Sequence, residues 1–449
     1  MPKHRVVAGL DIGNSKVRVA VAIMDEESTT PNIIGVGVSP SDGLRKGNII
    51  DVEATVSNIA SALEDAERMA GEPIHNVFLG ISGDHISSMD SKGVIAISHS
   101  GNEIIEDDVD RVLEAAQAVA IPNNRRILRI IPKSFTVDEQ TGIKYPVGMT
   151  GIRLEVLAHL VTGLVPAVKN IEKCVHQAGV DINDIIPCGL AAAESVLTKR
   201  QKELGTVVID IGSGGTNVAI YEEGTVLHSA SLPVGGDNVT NDIAIGLRTS
   251  IDTAEKIKIE YGSCIPEDIH ERETIDLSLL SKIDTQTVSK RQLAEIIQAR
   301  YHEIFMMVKD ELSKVQRDGM LPAGAILAGA AVKMPGVIDL AREVLNLPVQ
   351  IGFPTNYEGV VDKIEDPAYA SVIGLVIWGS RFQGEGYGAR FNFKNFSLEK
   401  VGQNFKTWFR GLLPGFLFLE PSAPPSNPYP YDSLSTRTTG GQPEESLLG

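Results

Sequence analysis

Two stretches of the chain share one pattern of apolar and polar positions: an apolar run, a short turn of small polar residues, and a second apolar run. The first, AGLDIGNSKVRVAVA, covers residues 8–22, and the second, VIDIGSGGTNVAIY, covers residues 208–221. β-Branched runs on both sides of a glycine-containing turn are typical of β-hairpins. The pattern therefore predicts two hairpins, each opening an α/β half of the molecule.

Apolar side chains at helical spacing mark further elements. Residues 55–71 carry them three and four positions apart and end at Gly71, a residue type that often closes a helix. Residues 166–179 have proline near the start and glycine at the end, the usual asymmetry of helix ends. The longest periodic run, residues 289–316, predicts a helix with one apolar stripe: Leu293, Ile296, Ile297, Ile304, Phe305 and Val308.

Residues 85–162 differ in character and predict a compact α+β segment. RRILRII and RLEVLAHLVTG predict strands, and EDDVDRVLEAAQAVA predicts a helix with acids in its first turn. The segment has the size of a small subdomain inserted into a larger one. It has no convergent cluster of titratable residues, so we expect it to act in assembly rather than in chemistry.

Charge and cysteine content narrow the classes of partner and compartment. The formal net charge is −17 and the pI is near 5.0, which disfavours nucleic acid as a partner because binding it needs a basic face. The three cysteines lack metal-ligand spacing and are expected to be buried thiols of a reducing cytosol. We predict neither a signal peptide nor a membrane-spanning helix, since no sufficiently long apolar run is present.

The two predicted hairpins carry the candidate chemistry. A tight turn of small residues lets backbone N–H groups approach an anion, and the aspartate before each glycine could hold Mg²⁺ through water. One such hairpin is weak support, because the alternative is a turn that needs glycine only for its backbone conformation. Two hairpins facing each other across a cleft could grip the phosphates of one nucleotide. The strand-to-helix turn LAGAAVKMPG, residues 327–336, suits the nucleoside end.

These motifs, together with the connecting segments GLAAAESVL (189–197) and ASVIGLVIW (370–378), resemble the actin/Hsp70/sugar-kinase ATPase superfamily. Within it the chain is similar to the FtsA family of bacterial cell-division proteins. The closer match is carried by four stretches, residues 80–97, 111–138, 232–262 and 293–305. The inserted segment is the most specific of these points, because FtsA carries its small subdomain there and actin does not.

The resemblance implies an α/β, actin-like ATPase fold: two similar α/β halves around a nucleotide cleft, with an inserted small α+β subdomain and a C-terminal amphipathic helix. The expected boundaries are 1–84 with 163–202 for the first half, 85–162 for the inserted subdomain, 203–240 with 322–383 for the second half, 241–321 for a helical subdomain contacting nucleotide and FtsZ, 384–395 for a linker, 396–413 for the membrane helix and 414–449 for a disordered tail.

The same resemblance assigns residues to the binding of ATP and Mg²⁺. The first phosphate loop is matched by Asp11, Gly13, Asn14, Ser15 and Lys16, and the second by Asp210, Gly212, Ser213, Gly214, Gly215 and Thr216. Contacts near the phosphates, ribose and adenine are matched by Gly235, Gly236, Asp237, Glu255, Lys258, Gly262 and Gly329. Asp11 and Asp210 are expected on the metal side.

Two departures from the family pattern qualify this assignment, and one further acid is a candidate catalytic residue. Gly329-Ala330-Ala331 replaces the usual three glycines, so the adenine pocket is expected to be tighter. Asn217 replaces the usual aspartate, and a neutral amide holds a metal-bound water less well, so we expect slow hydrolysis at most. Glu194, the acid in the first connecting helix, could orient a water as a catalytic residue; the alternative is an ordinary solvent-facing helix residue.

Two other classes of ATPase fit less well. A sugar kinase needs a general base and an acceptor pocket, but no aspartate stands in GLAAAESVL. An Hsp70 chaperone needs a β-rich domain after residue 380, and only about 70 residues follow. The resemblance implies instead a protein that binds ATP, polymerises like actin and anchors FtsZ filaments to the cytoplasmic membrane at the division septum. The alternative is a small-molecule kinase or another actin-like scaffold.

The expected partners are the C-terminal peptide of FtsZ, further copies of the chain, later division proteins and an anionic membrane surface. Basic residues beside the apolar stripe of residues 289–315 suit an acidic–apolar peptide: Lys290, Arg291 and Arg300. The alternative is that these cations form a solvated face.

The segment 393–417 combines a bulky apolar stripe with basic flanks, which is typical of a helix in the membrane interface. The stripe includes Phe405, Trp408, Phe409 and Leu412. The alternative is a helix docked on the protein's own core. The expected location is peripheral, on the cytoplasmic face of the inner membrane.

Overall fold

The structure is a computed structural model that describes residues 4–25, 30–98, 101–118, 121–280, 286–359 and 364–381. The expected linker, membrane helix and tail lie outside these residues. The described helices are α1 (Val52–Ala70), α2 (Glu106–Gln117), α3 (Val165–Gln177), α4 (Cys188–Val196), α5 (Lys199–Leu204), α6 (Gly236–Leu247), α7 (Ile251–Tyr261), α8 (Lys290–Lys314), α9 (Val337–Leu345) and α10 (Ala370–Arg381).

The described strands follow the same chain order. They are β1 (Arg5–Ile12), β2 (Lys16–Met24), β3 (Asn32–Pro40), β4 (Leu44–Arg45), β5 (Asn48–Ile49), β6 (Asn76–Ile81), β7 (Ile86–Ala96), β8 (Arg125–Val137), β9 (Gln140–Ile143), β10 (Arg153–Leu164), β11 (Asp181–Pro187), β12 (Thr206–Ile211), β13 (Thr216–Glu222), β14 (Thr225–Leu232), β15 (Thr274–Asp276), β16 (Thr287–Ser289), β17 (Ala325–Ala328) and β18 (Val349–Ile351).

The repeated sequence pattern produces two sheets of the same topology. The first has the order β11-β6-β1-β2-β3 and the second the order β18-β17-β12-β13-β14. In each sheet the hairpin strands are antiparallel, and the first hairpin strand also has a parallel neighbour, β6 or β17. Both predicted hairpins are confirmed, and the likeness between the halves extends from their turns to whole sheets.

Local sequence signals explain where the helices begin and end. The Asp51 side chain accepts a hydrogen bond from Ala54 N–H and caps α1, and Gly71 closes this helix with a φ of 70°. The Ser289 side chain caps α8 by accepting from Gln292 N–H. The apolar face of α8 then packs into the core of the second half with α6 and α9.

The helices α4 and α10 cross in close contact. Small residues allow the close approach, since a β-carbon on Gly374 would lie 1.7 Å from the Ala191 carbonyl oxygen. The Ser195 hydroxyl donates to the Ala370 carbonyl oxygen at 2.7 Å. The buried cluster around this crossing contains residues of both sheets, so the two helices join the two halves.

The inserted subdomain is built on a separate antiparallel sheet. Its strand order is β7-β10-β8-β9, and α2 covers one face with a small core of its own, which includes Val112, Phe135 and Leu160. The acids of the first turn of α2 include Asp108, whose side chain accepts the Ile105 N–H. The predicted α+β character of this segment is confirmed.

Candidate nucleotide cleft

The two hairpin turns have the same backbone geometry. In the first, Gly13 N–H donates to the Lys16 carbonyl oxygen at 3.1 Å, and in the second, Gly212 N–H donates to the Gly215 carbonyl oxygen at 2.9 Å. This equivalence places Asp11 and Asp210 at corresponding positions, one residue before the end of β1 and of β12. Their partners across the hairpins are Arg18 and Asn217.

The turns lie against each other. A β-carbon on Gly214 would lie 1.9 Å from Asn14 Nδ2, so a larger residue at 214 would require the Asn14 side chain to move. Ser15 and Lys16 are exposed beside this contact. The structure therefore brings the two predicted phosphate loops together, as two turns gripping one ligand require.

The carboxylates of Asp11 and Asp210 lie close enough to affect each other. Burial and the charge of Asp11 raise the pKa of Asp210 to about 6, and burial also raises the pKa of Asp11. Asp210 Oδ2 accepts hydrogen bonds from Asn217 Nδ2 at 3.2 Å and from the Ser371 hydroxyl at 3.1 Å. The Cys188 thiol faces Asp11 Oδ1 at 3.6 Å.

This donor set fits Mg²⁺, which prefers oxygen ligands and retains several waters. A divalent cation would offset the repulsion that raises the pKa of Asp210. Among the described residues no group of three or more His, Cys, Asp or Glu side chains could hold a metal. The two carboxylates would therefore contribute only part of the coordination, with water and a bound phosphate supplying the rest.

The start of α6 is folded onto the second turn. Gly236 N–H donates to the Gly212 carbonyl oxygen at 2.9 Å, and Asp237 N–H donates to the Ser213 carbonyl oxygen at 2.8 Å. Gly235 is equally close, since a β-carbon there would lie 2.6 Å from the Ser213 carbonyl oxygen.

Burial raises the pKa of Asp237, against the opposing effect of Lys258. The Thr216 hydroxyl, by contrast, is used within the fold, where it donates to the Val234 carbonyl oxygen at 2.8 Å. It is therefore a support for the turn rather than a free ligand group.

The residues assigned to the nucleoside surround this helix start. Lys258 Nζ contacts Glu255 Oε2 at 2.5 Å and the Gly236 carbonyl oxygen at 3.3 Å. Gly329 lies next to Asp210, because a β-carbon on Gly329 would be 2.7 Å from Asp210 Oδ1. Gly262 packs against the sulfur of Met334. Contacts therefore link Lys258 and Glu255 to the start of α6, and Gly329 to Asp210.

Several supporting residues were missed by sequence reasoning. Ser371 and Cys188 come from the ends of the crossing helices, and their nearness to the aspartates depends on tertiary packing. Tyr301 is buried beside the strand-to-helix turn 327–336, where its hydroxyl donates to the Ala331 carbonyl oxygen at 2.6 Å. Arg18 could have been found from the hairpin register, since it pairs with Asp11.

The structure rules out one of the two roles that the sequence allowed for Glu194. Its carboxylate is buried, with 7% of the residue exposed, so the solvent-facing alternative is wrong. Glu194 Oε1 accepts from Lys202 Nζ at 2.6 Å, and Oε2 pairs with Arg381. Although burial opposes it, these two cations hold the pKa of Glu194 below its usual value. Both carboxylate oxygens thus pair with cations of neighbouring helices, and the catalytic role of Glu194 stays a prediction.

The three cations assigned to partner binding already have acidic neighbours. Lys290 pairs with Glu273 at 3.1 Å, and Arg291 lies 3.5 Å from Glu271. Arg300 forms two hydrogen bonds with Asp242 of α6, one of them at 2.9 Å. Its role in the subdomain is therefore structural, and the expectation that reversing its charge leaves the fold intact is revised.

The remaining assigned residues, Phe405, Trp408, Phe409 and Leu412, lie outside the described residues. No helix in the described part of the chain is long and apolar enough to cross a membrane.

Comparison with known proteins adds to this geometry. The family model described as "Cell division protein FtsA" matches residues 207–374, and the model "SHS2 domain inserted in FTSA" matches residues 83–162. The chain is 40% identical over 413 residues to the cell division protein FtsA of Pseudomonas aeruginosa, covering 91% of this chain and 98% of that protein.

Two further relatives are also FtsA proteins. FtsA of Bacillus subtilis is 40% identical over 381 residues, covering 85% of each chain. FtsA of Escherichia coli K12 is 35% identical over 391 residues, covering 85% of this chain and 92% of that protein. Among solved structures, a chain of the PilM-PilN type IV pilus biogenesis complex superposes with a TM-score of 0.61 at 15% identity, covering 83% of this chain and 98% of that chain. The predicted actin-like ATPase fold with its inserted subdomain is confirmed.

Proposed function

This chain belongs to the FtsA family of cell-division proteins, and from that premise we propose that it binds ATP with Mg²⁺, polymerises like actin and anchors FtsZ filaments to the cytoplasmic membrane at the septum. The observation that carries the nucleotide part is the contact between the two glycine turns, with Asp11 and Asp210 beside it. Two such turns offer backbone N–H groups to phosphates from opposite sides.

Each part of the cleft has a separate task in this proposal. The two turns hold the phosphates with backbone N–H groups, and the dipole at the start of α6 favours their negative charge. The pair Glu255 and Lys258, with Gly329 opposite, borders the nucleoside. When bound, Mg²⁺ would neutralise phosphate charge, and Asp11 and Asp210 would hold it through water.

We propose that hydrolysis is slow. Asn217, where the superfamily usually has aspartate, uses its amide to hydrogen-bond Asp210, and Glu194 is held by two cations. Both side chains are therefore less available to activate a water. A slow ATPase suits a protein whose bound nucleotide stabilises an assembled state.

The FtsZ contact is proposed on the helical subdomain, at the face that carries Lys290 and Arg291. Their side chains are about one-third exposed, at 33% and 39%, so an acidic peptide could replace their present acidic neighbours. Arg300 is left out of this contact because it is engaged with Asp242. The inserted subdomain, with its own sheet and core, is proposed to contact the next copy in a filament.

Membrane attachment is proposed for the segment 396–413 on the strength of its sequence. Aromatic side chains beside lysines and arginines favour the interface of an anionic membrane, each basic residue adding about 1 kcal/mol. The protein would then be peripheral on the cytoplasmic face, where FtsZ assembles.

Co-sedimentation with vesicles tests the proposal as a whole. Full-length protein, FtsZ and vesicles containing anionic lipid are mixed with Mg²⁺ and with or without ATP. We expect FtsZ to pellet with the vesicles only when this protein is present. FtsZ that stays in the supernatant while the protein itself pellets would contradict the anchoring role. Failure of ATP to change self-assembly would contradict the actin-like role.

A further inference from the structure

A chain of hydrogen bonds leads from Asp210 out of the cleft. Asn217 Nδ2 donates to Asp210 Oδ2 at 3.2 Å, and the Ser231 hydroxyl donates to Asn217 Oδ1 at 3.0 Å. The Gly83 N–H donates to the Ser231 oxygen at 3.2 Å. Gly83 lies between the end of β6 and the start of β7, where the chain leaves the first half and enters the inserted subdomain.

All three bonds point in one direction, from the Gly83 N–H to the Asp210 carboxylate. The Ser231 hydroxyl accepts from one neighbour and donates to the next, and the Asn217 amide does the same. Bonds aligned in this way polarise one another, and a charged acceptor at the end strengthens them. An aspartate at 217 could accept from Ser231 but could not donate to Asp210, so the chain requires asparagine at this position.

The first phosphate turn is also connected to Gly83, through Asn14 and Gly47. Asn14 Oδ1 accepts the Gly47 N–H at 3.0 Å. Gly47 in turn packs onto Gly83, since a β-carbon on Gly83 would lie 2.9 Å from the Gly47 α-carbon. Contacts from both turns therefore converge on Gly83.

The inserted subdomain is also attached to the strand that carries Ser231. The Ser88 hydroxyl donates to the Ser229 carbonyl oxygen at 2.5 Å, and His159 Nε2 lies 2.9 Å from the Ser229 hydroxyl. Both contacts lie on β14, two residues from Ser231. A shift of β14 relative to Asp210 would therefore move the subdomain with it.

We propose that Asn217 and Ser231 are positioning residues that hold the Asp210 carboxylate for the metal. Through Gly83, they also couple metal binding at Asp210 to the conformation of the inserted subdomain. This rests on the proposed binding of Mg²⁺ and ATP. A cation bound to Asp210 would restrict the motion of the carboxylate. The restricted carboxylate would in turn order the hydrogen bonds that Asn217 and Ser231 donate. Because such coupling is reciprocal, a contact of the inserted subdomain that orders Gly83 would raise the affinity for the metal by the factor by which the metal strengthens that contact.

Hydrogen exchange with and without Mg²⁺ and ATP tests the proposal, with calorimetry as the companion measurement. In the wild-type protein we expect added protection of residues 83–98 on binding. Ser231→Ala breaks the chain, so we expect about tenfold weaker binding of ATP in Mg²⁺, little change in EDTA, and loss of the response in residues 83–98. Protection of the turn 212–215 should remain. Ser231→Thr keeps the hydroxyl and should behave like wild type.

Asn217→Asp is the second variant, because it keeps an oxygen for a metal-bound water and removes the donor to Asp210. We expect it to lose the response in residues 83–98 as well. A folded Ser231→Ala protein in which residues 83–98 respond as in wild type would overturn the proposal while leaving ATP binding established. A wild-type protein that shows no calorimetric binding of ATP with Mg²⁺ would overturn the proposed function, and this proposal with it.

Discussion

The side chain of Asn14 occupies the space in front of Gly214, so that the first phosphate turn is seated directly against the second. A β-carbon at 214 would have to displace the Asn14 amide, which accepts the Gly47 N–H. Because each turn belongs to a different sheet, we expect this contact to help set the separation of the two turns.

Gly214→Ala should therefore push the turns apart and weaken ATP binding by about tenfold, or ~1.4 kcal/mol. Calorimetry on the single variant, on Asn14→Ala and on the double variant forms a cycle. We expect the alanine at 214 to cost much less when Asn14 has already been shortened. Equal losses in both backgrounds would show that the contact does not set this separation.

Asp210→Ala should weaken ATP binding in Mg²⁺ and reduce polymerisation together, because one group of the proposed metal site is removed. The unliganded protein would lose a buried charge beside Asp11 but also the acceptor of Asn217 and Ser371, so we expect little net change in its stability. Calorimetry, sedimentation and thermal unfolding measure the three effects. Unchanged ATP affinity for both Asp210→Ala and Asp11→Ala would refute the location of the cleft.

Charge reversals on α8 should distinguish the cation that stabilises the fold from the cations proposed to bind the FtsZ peptide. Arg300→Glu should lower the free energy of unfolding by roughly 1–3 kcal/mol, because Asp242 would lose its partner and face a like charge. Lys290→Glu with Arg291→Glu should leave stability nearly unchanged, since their ion pairs are exposed, yet reduce affinity for the FtsZ C-terminal peptide. Peptide affinity that survives this pair of reversals moves the contact to another face.

The inserted subdomain should show a pH-dependent stability. Asp110 of α2 is buried, and burial, with the charges of Asp107, Glu114 and Glu106 added, raises its pKa to about 7 from an ordinary 3.8. The folded state therefore keeps a proton that the unfolded state loses as pH rises from about 4 to 7, and stability falls over that range.

Replacing Asp110 with asparagine removes this loss. Asp110→Asn should stabilise the protein by roughly 1–3 kcal/mol at pH 8 and by little at pH 4, as thermal unfolding at the two pH values would show. Asp310→Asn makes the same change on the exposed face of α8 and should do little at either pH. A gain at pH 4 as large as at pH 8 would rule out titration as the cause.

Membrane attachment is tested in the segment from 396 to 413. Trp408→Glu with Phe409→Glu should release the full-length protein from anionic vesicles, because two aromatic anchors are exchanged for two negative charges. ATP affinity, measured in parallel, should be unchanged. If the double variant still floats with the vesicles, the attachment lies elsewhere in the chain.

Much of the fold could be predicted because its signals are local. Asp-Ile-Gly followed by small residues between apolar runs predicted a hairpin at both places where it occurs in this chain, and Gly71 predicted a helix end. The family resemblance then ordered these pieces into two halves. The placement of Ser371 and Cys188 beside the aspartates could not be found in this way, since it depends on how two helices cross.

Residue roles were harder to predict than residue positions. The sequence of α4 shows that Glu194 is acidic and helical, but its two partners come from α5 and from the end of α10. Asn217 was expected only to weaken hydrolysis, because its donor and acceptor contacts depend on the register of β12, β13 and β14. Arg300 was judged by its charge alone, while Asp242 lies 58 residues away.

The pairing of Arg381 with Glu194 has a mechanical consequence. Arg381 is the last residue of α10, and the backbone just before it is held by Arg5, whose guanidinium donates to the Ser380 carbonyl oxygen at 2.7 Å. Tension on the chain beyond residue 381 would thus be met by the first strand and by the helix α4, rather than by a surface loop. A force applied from the C-terminal side would strain the packing of α4 against α10, which joins the two halves. Through that packing it would also affect the binding of the proposed nucleotide between them.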